Sequence, residues 1–188
     1  MAVKETTPNM LCLEYKQEKD DKNYGSCLWA RFMFNLDKYE LLISSDCGFY
    51  GYKWCETPDT ESFLELMARV DKDYMLSKLY GKPDVFDYEA SKANIYEELV
   101  FEGSTLTKEL LDEIFTEIES DYGEHFYHAH SFMDAFKCVD NKYYENSFEY
   151  DYPNVYGALE YRYPADALKI VNVFDGFIKP NIQKNLSK

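Results

Sequence analysis

The sequence predicts an α+β fold in which an N-terminal antiparallel β-meander of about four strands is followed, and covered, by several α-helices. Three observations point there. Between residues 10 and 56, short apolar runs alternate with period two and are joined by connections too short for crossover helices. Beyond residue 59 the apolar spacing changes to three and four, the period of helices packed by one face. Aromatic residues reach 18%, with eighteen Tyr and thirteen Phe, which supplies enough apolar area to exclude intrinsic disorder despite 29% charged residues. At 188 residues the expectation is one domain spanning 1–188, burying about 70% of the unfolded chain's surface.

In the meander, Leu11, Leu13 and Tyr15 alternate with Cys12 and Glu14, predicting a first strand over 10–17. Asn23 and Gly25 supply turn chemistry before a more apolar second strand, Cys27–Asn35. Leu36–Lys38 reverses the chain into a third strand, Tyr39–Ser45, and Gly48–Cys55 makes a fourth. The Tyr50, Tyr52 and Trp54 side of that fourth strand requires a cover, because three adjacent large aromatics would otherwise form a sticky patch.

The helical region, about 59–139, opens at Pro58-Asp59-Thr60. Phe63, Leu66, Met67, Val70 and Tyr74 carry one helix to about Tyr80, ended by Gly81 and Pro83. Asp87 caps a helical element that ends at Gly103. Ser104 or Thr105 opens a helix, regular from about Thr107, with Leu110, Leu111, Ile114, Phe115 and Ile118 as its buried stripe and Gly123 as its stop. Glu124–Val139 predicts another helix, with Phe126, Met133 and Phe136 inward. In 140–163 no single period fits, so the expectation is an irregular Tyr-rich segment or one or two short strands, with Tyr156 and Tyr161 in the core. A last helix begins at Pro164 and is stopped near Ile178 by Pro180.

Charge is the strongest functional signal. Net charge is −15, and the thirty-eight residues Asp84–Asp121 hold twelve acids against two bases, Lys92 and Lys108, for −10 of that total. Six acids fall between Glu109 and Asp121, so at a rise of ~1.5 Å per residue the helix carries roughly one charge per 3 Å. A DNA strand carries about one per 3.4 Å. The like-charge pairs at three- and four-residue spacing each oppose the helix by roughly 0.2–0.5 kcal/mol. A helix needing only solubility would interleave lysines. Such a chain repels nucleic acid and anionic membranes and attracts basic proteins. Candidate partner-binding residues are therefore Glu97, Glu98, Glu102, Glu109, Asp112, Glu113, Glu117, Glu119 and Asp121, joined by Tyr150 and Tyr152. In those two, a large stiff ring with a polar tip suits an interface.

The string Ser45, Asp46, Gly48, Tyr50, Tyr52, Trp54, continued by Phe63-Leu64, Arg69, Asp71, Asp73-Tyr74, Leu76 and Lys78-Leu79, resembles small acidic accessory proteins encoded by phages and prophages. An aromatic residue is expected after Ser45-Asp46, and Cys47 departs from that pattern. The resemblance spans Ser45–Leu79, assigns no catalytic residue, and implies an anti-CRISPR or anti-restriction type of protein working in the cytoplasm of a host bacterium.

Catalytic signatures are scarce. There is no nucleophile elbow, Gly-rich phosphate loop or kinase motif, and the five Cys include no C-x-x-C, so neither a disulfide framework nor a zinc site is indicated. Cys47 is the one thiol at a turn, and its ordinary reading is a packed small hydrophobe. His125, His128, His130 and Asp134 are the candidate metal ligands, since His130 and Asp134 share a helix face. The window offers too few converging donors for a hydrolytic site, and the alternative is interfacial histidines bonded to Asp134. The reading is thus a non-enzymatic inhibitor without metal or cofactor. Its acidic, Tyr-bearing surface blocks the nucleic-acid cleft of a basic host protein, such as a CRISPR or restriction nuclease. It binds no nucleic acid directly and no membrane. The rival readings are a homodimeric regulatory interaction protein and a small metal-dependent or thiol enzyme built on His125–Asp134 or Cys47.

Overall fold

Period-two alternation decides the first half of the structure. In a computed structural model, which describes residues 5, 7–21, 24–55, 61–101, 104, 106–123 and 126–187, strands β1 (Met10–Lys16), β2 (Trp29–Asn35), β3 (Glu40–Ser45) and β4 (Gly48–Lys53) form one antiparallel sheet in sequence order. Pairing of Phe32 with Ile43 and Leu13, and of Phe34 with Leu41 and Leu11, stacks the inward side chains in rows across the sheet. Phe32, Phe34, Leu41 and Ile43 are fully buried, whereas the edge-strand residues Leu11, Leu13, Tyr50 and Tyr52 are half-buried. The opposite sheet face keeps Trp29, Leu42 and Phe49 exposed. The four expected strands are all present, with ends shifted by one or two residues.

The chain divides into two compact units, 1–82 with 163–188, and 83–162. In the first, helices α1 (Phe63–Arg69) and α2 (Lys72–Leu79) cover the sheet together with the last helices of the chain. The expected start at Pro58-Asp59-Thr60 lies outside the described residues. Ser62 caps α1 instead, in a reciprocal capping box with Glu65. The single helix expected to reach Tyr80 is broken. Val70 is extended, and the Asp71 side chain accepts from the Tyr74 amide, starting α2 afresh. Trp54 is buried among these elements and donates its indole N–H to the Tyr74 hydroxyl at 3.0 Å, which supplies the cover expected for β4.

The C-terminal expectation is corrected. Helix α7 (Ala165–Val173) continues through a π-helical turn, Phe174–Ile178, into α8 (Lys179–Leu186), so Pro180 does not stop the helix. Proline is tolerated in the first turn of a helix, where its missing N–H is not needed, and the wider turn before it makes Pro180 the start of a new register. Ile170, Phe174, Ile178 and Ile182 remain in the core across that change.

The second unit has its own core. Helices α3 (Tyr88–Leu99), α4 (Lys108–Tyr122), α5 (Ala129–Tyr144) and α6 (Tyr152–Gly157) surround Phe115, Phe132 and Phe136. A two-residue ladder, β5 (Val85–Phe86) with β6 (Tyr161–Arg162), joins the segments where the chain enters and leaves this unit. Helix α5 runs five residues later than expected at both ends. Its inward face includes Asp140, 1% exposed, a charge where the apolar period calls for a hydrophobe. This carboxylate accepts from the Phe148 amide and, at 2.6 Å, from the Tyr152 hydroxyl. It thereby holds the turn in which Glu145 and Asn146 take left-handed backbone angles, with φ of 56° and 61°. The Tyr-rich segment is consequently ordered as a short 3-10 turn, α6 and β6. Its buried residues are Phe148, Val155, Ala158 and Leu159, while Tyr156 and Tyr161 are each 44% exposed and are not core residues.

Asp140→Ala leaves the Phe148 amide and the Tyr152 hydroxyl without their acceptor. Urea unfolding should show a loss of about 2–4 kcal/mol, against about 1 kcal/mol for Tyr152→Phe.

Candidate functional site

Helices α3 and α4 carry most of the candidate acids, and their ends are set by local chemistry. Asp87 caps α3 by accepting from the Ala90 amide, as expected. Thr107, rather than Ser104 or Thr105, caps α4 by accepting from Leu110, and Gly123 closes it at φ 87°, which favours glycine. Leu111, Ile114, Phe115 and Ile118 are buried, so the stripe faces inward as the spacing requires, with Leu110 at its half-buried margin.

The acids of α4 do not form one row. Asp112 and Glu119 lie on the flank toward α3, where Asp112 accepts from the Tyr96 hydroxyl at 2.7 Å and Glu119 accepts from Lys92 at 2.6 Å and Tyr88 at 2.9 Å. Glu113 and Asp121 lie on the flank toward α5, facing the Tyr144 hydroxyl at 3.5 Å and the Lys142 ammonium at 2.7 Å. Glu119 and Asp121 are therefore neutralised by bases of the same unit. Among the described residues, Glu109 and Glu117 on α4 and Glu97 and Glu98 on α3 pair with no base, and Glu109, Glu97 and Glu98 are exposed. Glu109, Glu113 and Glu117 remain as a row at four-residue intervals, ~6 Å apart along the axis, which is about half the density read from the sequence. Glu102 lies outside the described residues.

Beside this helix runs an open groove of about 820 Å³ between α3 and α4, floored by Ala93, Val100 and Phe115. Its rim is mixed in sign, with Glu97 and Asp112 opposed by Lys92 and Lys108. Lys92 sits 5.0 Å from the centre of the Phe115 ring as well as on Glu119. Lys92, followed by Tyr88, holds the Glu119 carboxyl below its ordinary range although partial burial opposes this. Burial and then the Asp112 carboxylate push the Tyr96 hydroxyl up.

Charge is partitioned far more sharply between the two units than along α4. Residues 83–162 contain nineteen acids and five bases, net −14, while the remaining 108 residues contain sixteen and fifteen, net −1. The densest stretch is legible in the sequence but this division is not, because the C-terminal 26 residues belong with the meander. Tyr150 is 94% exposed on the anionic unit, whereas the Tyr152 hydroxyl is spent on Asp140.

The histidine window yields one exposed pair, His130 Nε2 to Asp134 Oδ2 at 3.3 Å. His128 is the exposed residue before α5 and makes no capping bond, and His125 lies outside the described residues. Among the described residues no third ligand atom converges on that pair. Cys47 is buried, and burial pushes its thiol up, away from the thiolate that nucleophilic chemistry needs.

A family model, Phage_phiTE_072, described as a phage family, matches residues 1–184. The chain belongs to this phage family. The likeness to phage proteins read over Ser45–Leu79 thus extends across both units of the phage-family chain. No curated protein and no solved structure matches it. Among its described residues, no helix is long and apolar enough to cross a membrane.

Because the folded Glu119 pKa is depressed, its contribution is present above the unfolded value, roughly 4.3, and is lost as pH falls through the folded value. Glu119→Gln should therefore lower stability by about 1–2 kcal/mol at neutral pH, after allowance for partial solvent exposure. In thermal unfolding scans the gap between the two proteins should close as the buffer is taken from about pH 6 to about pH 3.

Proposed function

We propose that this phage-family protein is a non-enzymatic inhibitor whose anionic unit, residues 83–162, occupies the basic nucleic-acid cleft of a host defence nuclease of the CRISPR or restriction type. The observation that carries the reading is the division of charge, −14 in that unit against −1 in the rest. Random scatter of surface acids would distribute the charge over both. A concentrated negative field speeds encounter with a positive cleft and excludes nucleic acid from the protein itself. Exposed Glu97, Glu98 and Glu109 with Glu113 and Glu117 supply carboxylates that no base pairs with among the described residues, and Tyr150 supplies a stiff apolar contact. The reading rests on the field of the whole unit and not on a phosphate-like spacing along α4. The protein would act in the host cytoplasm, where such nucleases work.

A second reading draws on the other unit. The bare sheet face with Trp29, Leu42 and Phe49, the last 83% exposed, suits apolar self-association of a regulatory homodimer. Salt separates the two, because charge steering is screened and apolar burial is not.

The test is affinity capture from bacterial lysate at low salt, followed by elution with rising salt and identification by mass spectrometry. A nucleic-acid enzyme released by moderate salt, and competed off by DNA or RNA, is the expected result. Glu109→Gln, Glu113→Gln and Glu117→Gln together should weaken its binding by tenfold or more while slightly raising the unfolding temperature, since like-charge pairs are removed. Undiminished inhibition by the triple variant would remove this surface from the mechanism, and a dimer that survives high salt would favour the second reading.

A further inference from the structure

Pairing of Ala30 with Ser45 in the β2–β3 hairpin brings two distant cysteines to one end of the sheet, Cys27 just before β2 and Cys47 in the β3–β4 turn. Both are buried, at 1% and 8% exposure. Asp46 lies between them and is open to solvent. Its Oδ1 is 3.5 Å from the Cys27 sulfur and 3.9 Å from the Cys47 sulfur, and the three donor atoms all fall within 4.8 Å of one another. Backbone amides, as well as the thiols, hold this carboxylate. The Leu28 amide donates to Oδ2 at 2.9 Å and the Trp29 amide to Oδ1 at 3.4 Å, a clamp of the kind that orients metal-binding carboxylates from behind.

We propose that Cys27, Asp46 and Cys47 bind one thiophilic divalent cation of the zinc class, with solvent as the fourth donor on the exposed side of Asp46. Tetrahedral coordination with Zn–S of ~2.3 Å and Zn–O of ~2.0–2.2 Å places neighbouring sulfur and oxygen donors ~3.5 Å apart. The Cys27–Asp46 separation already has that length, and the Cys47 sulfur, at 3.9 Å from the same oxygen and within 4.8 Å of the Cys27 sulfur, closes onto the ion by a small shift. Two sulfurs with one carboxylate oxygen select zinc over the hard cations magnesium and calcium, which take all-oxygen sites. Cation binding displaces the two thiol protons to solvent, leaving two thiolates and one carboxylate around the ion. The ion would fasten the start of β2 to the β3–β4 turn, where Gly48 has a φ of 119° and Ser45 Oγ already bridges the Cys47 amide and the Gly48 carbonyl.

Three exposed thiols, Cys12, Cys55 and Cys138, would confuse a metal titration, so the parent for the test is the full chain with Cys12→Ser, Cys55→Ser and Cys138→Ser. Addition of Co²⁺ alone should produce a thiolate-to-cobalt charge-transfer band in the near ultraviolet, saturating at one equivalent and displaced by Zn²⁺. Adding Cys27→Ser or Cys47→Ser to this parent should weaken cobalt binding at least tenfold while far-ultraviolet circular dichroism stays unchanged. Zn²⁺ should also raise the parent's unfolding temperature. Absence of the band in the parent overturns the site, as does a band undiminished by Cys27→Ser in a folded variant. If both single variants unfold, the parent's stoichiometry and its thermal response to Zn²⁺ decide the matter.

Discussion

Register in the β1–β4 sheet is the constraint from which most of the first unit follows. With Phe32 opposite Ile43 and Phe34 opposite Leu41, every alternate side chain of the central strands points toward the helices. A slip of β2 by one residue would turn Trp29, Arg31 and Met33 inward and expose the buried Ala30, Phe32 and Phe34. That same register decides which loops meet at each sheet end, and so it places Cys27 beside Cys47 although twenty positions separate them in the chain. Burial of α1, α2, α7 and α8 is then a matter of presenting apolar stripes to a face already defined.

The second unit obeys a different balance. Its helices must pack tightly enough to order a surface that repels itself, and the structure shows how part of that repulsion is relieved. Glu119 and Asp121 take Lys92 and Lys142, and Asp112 and Glu113 accept from tyrosine hydroxyls. Tyrosine is a useful partner here because it solvates a carboxylate without cancelling its charge. The field is therefore retained while the local desolvation cost falls. Asp140 uses the same pairing inside the core, where Tyr152 and the Phe148 amide satisfy a carboxylate that water no longer reaches. Tyr88, Tyr96, Tyr144 and Tyr152 thus serve as partners for acids of this unit.

Membership of a phage family gives the anionic unit a setting but no chemistry of its own. The groove between α3 and α4 has a mixed rim, the histidine pair is exposed and incomplete among the described residues, and Cys47 is packed as a protonated thiol. The proposed basic partner therefore rests on the charge concentrated in residues 83–162, to which a positive cleft is the complementary surface.

The sequence by itself determined the four strands, the inward face of α4 and the caps at Asp87 and Gly123, because alternation and capping are local and act through neighbours a few residues apart. It also located the acidic stretch, since charge needs no fold to be counted. Several features were decided only by tertiary structure. Asp71 breaks a continuous apolar period because its side chain competes for the helix backbone. Asp140 sits in a core position that hydropathy assigns to solvent, and its partners eight and twelve residues away make that tolerable. The flank on which each α4 acid lies matters only once α3 and α5 present their bases and hydroxyls. The boundaries of the two bodies likewise depend on the last 26 residues packing against the sheet, a long-range contact that no window of sequence contains.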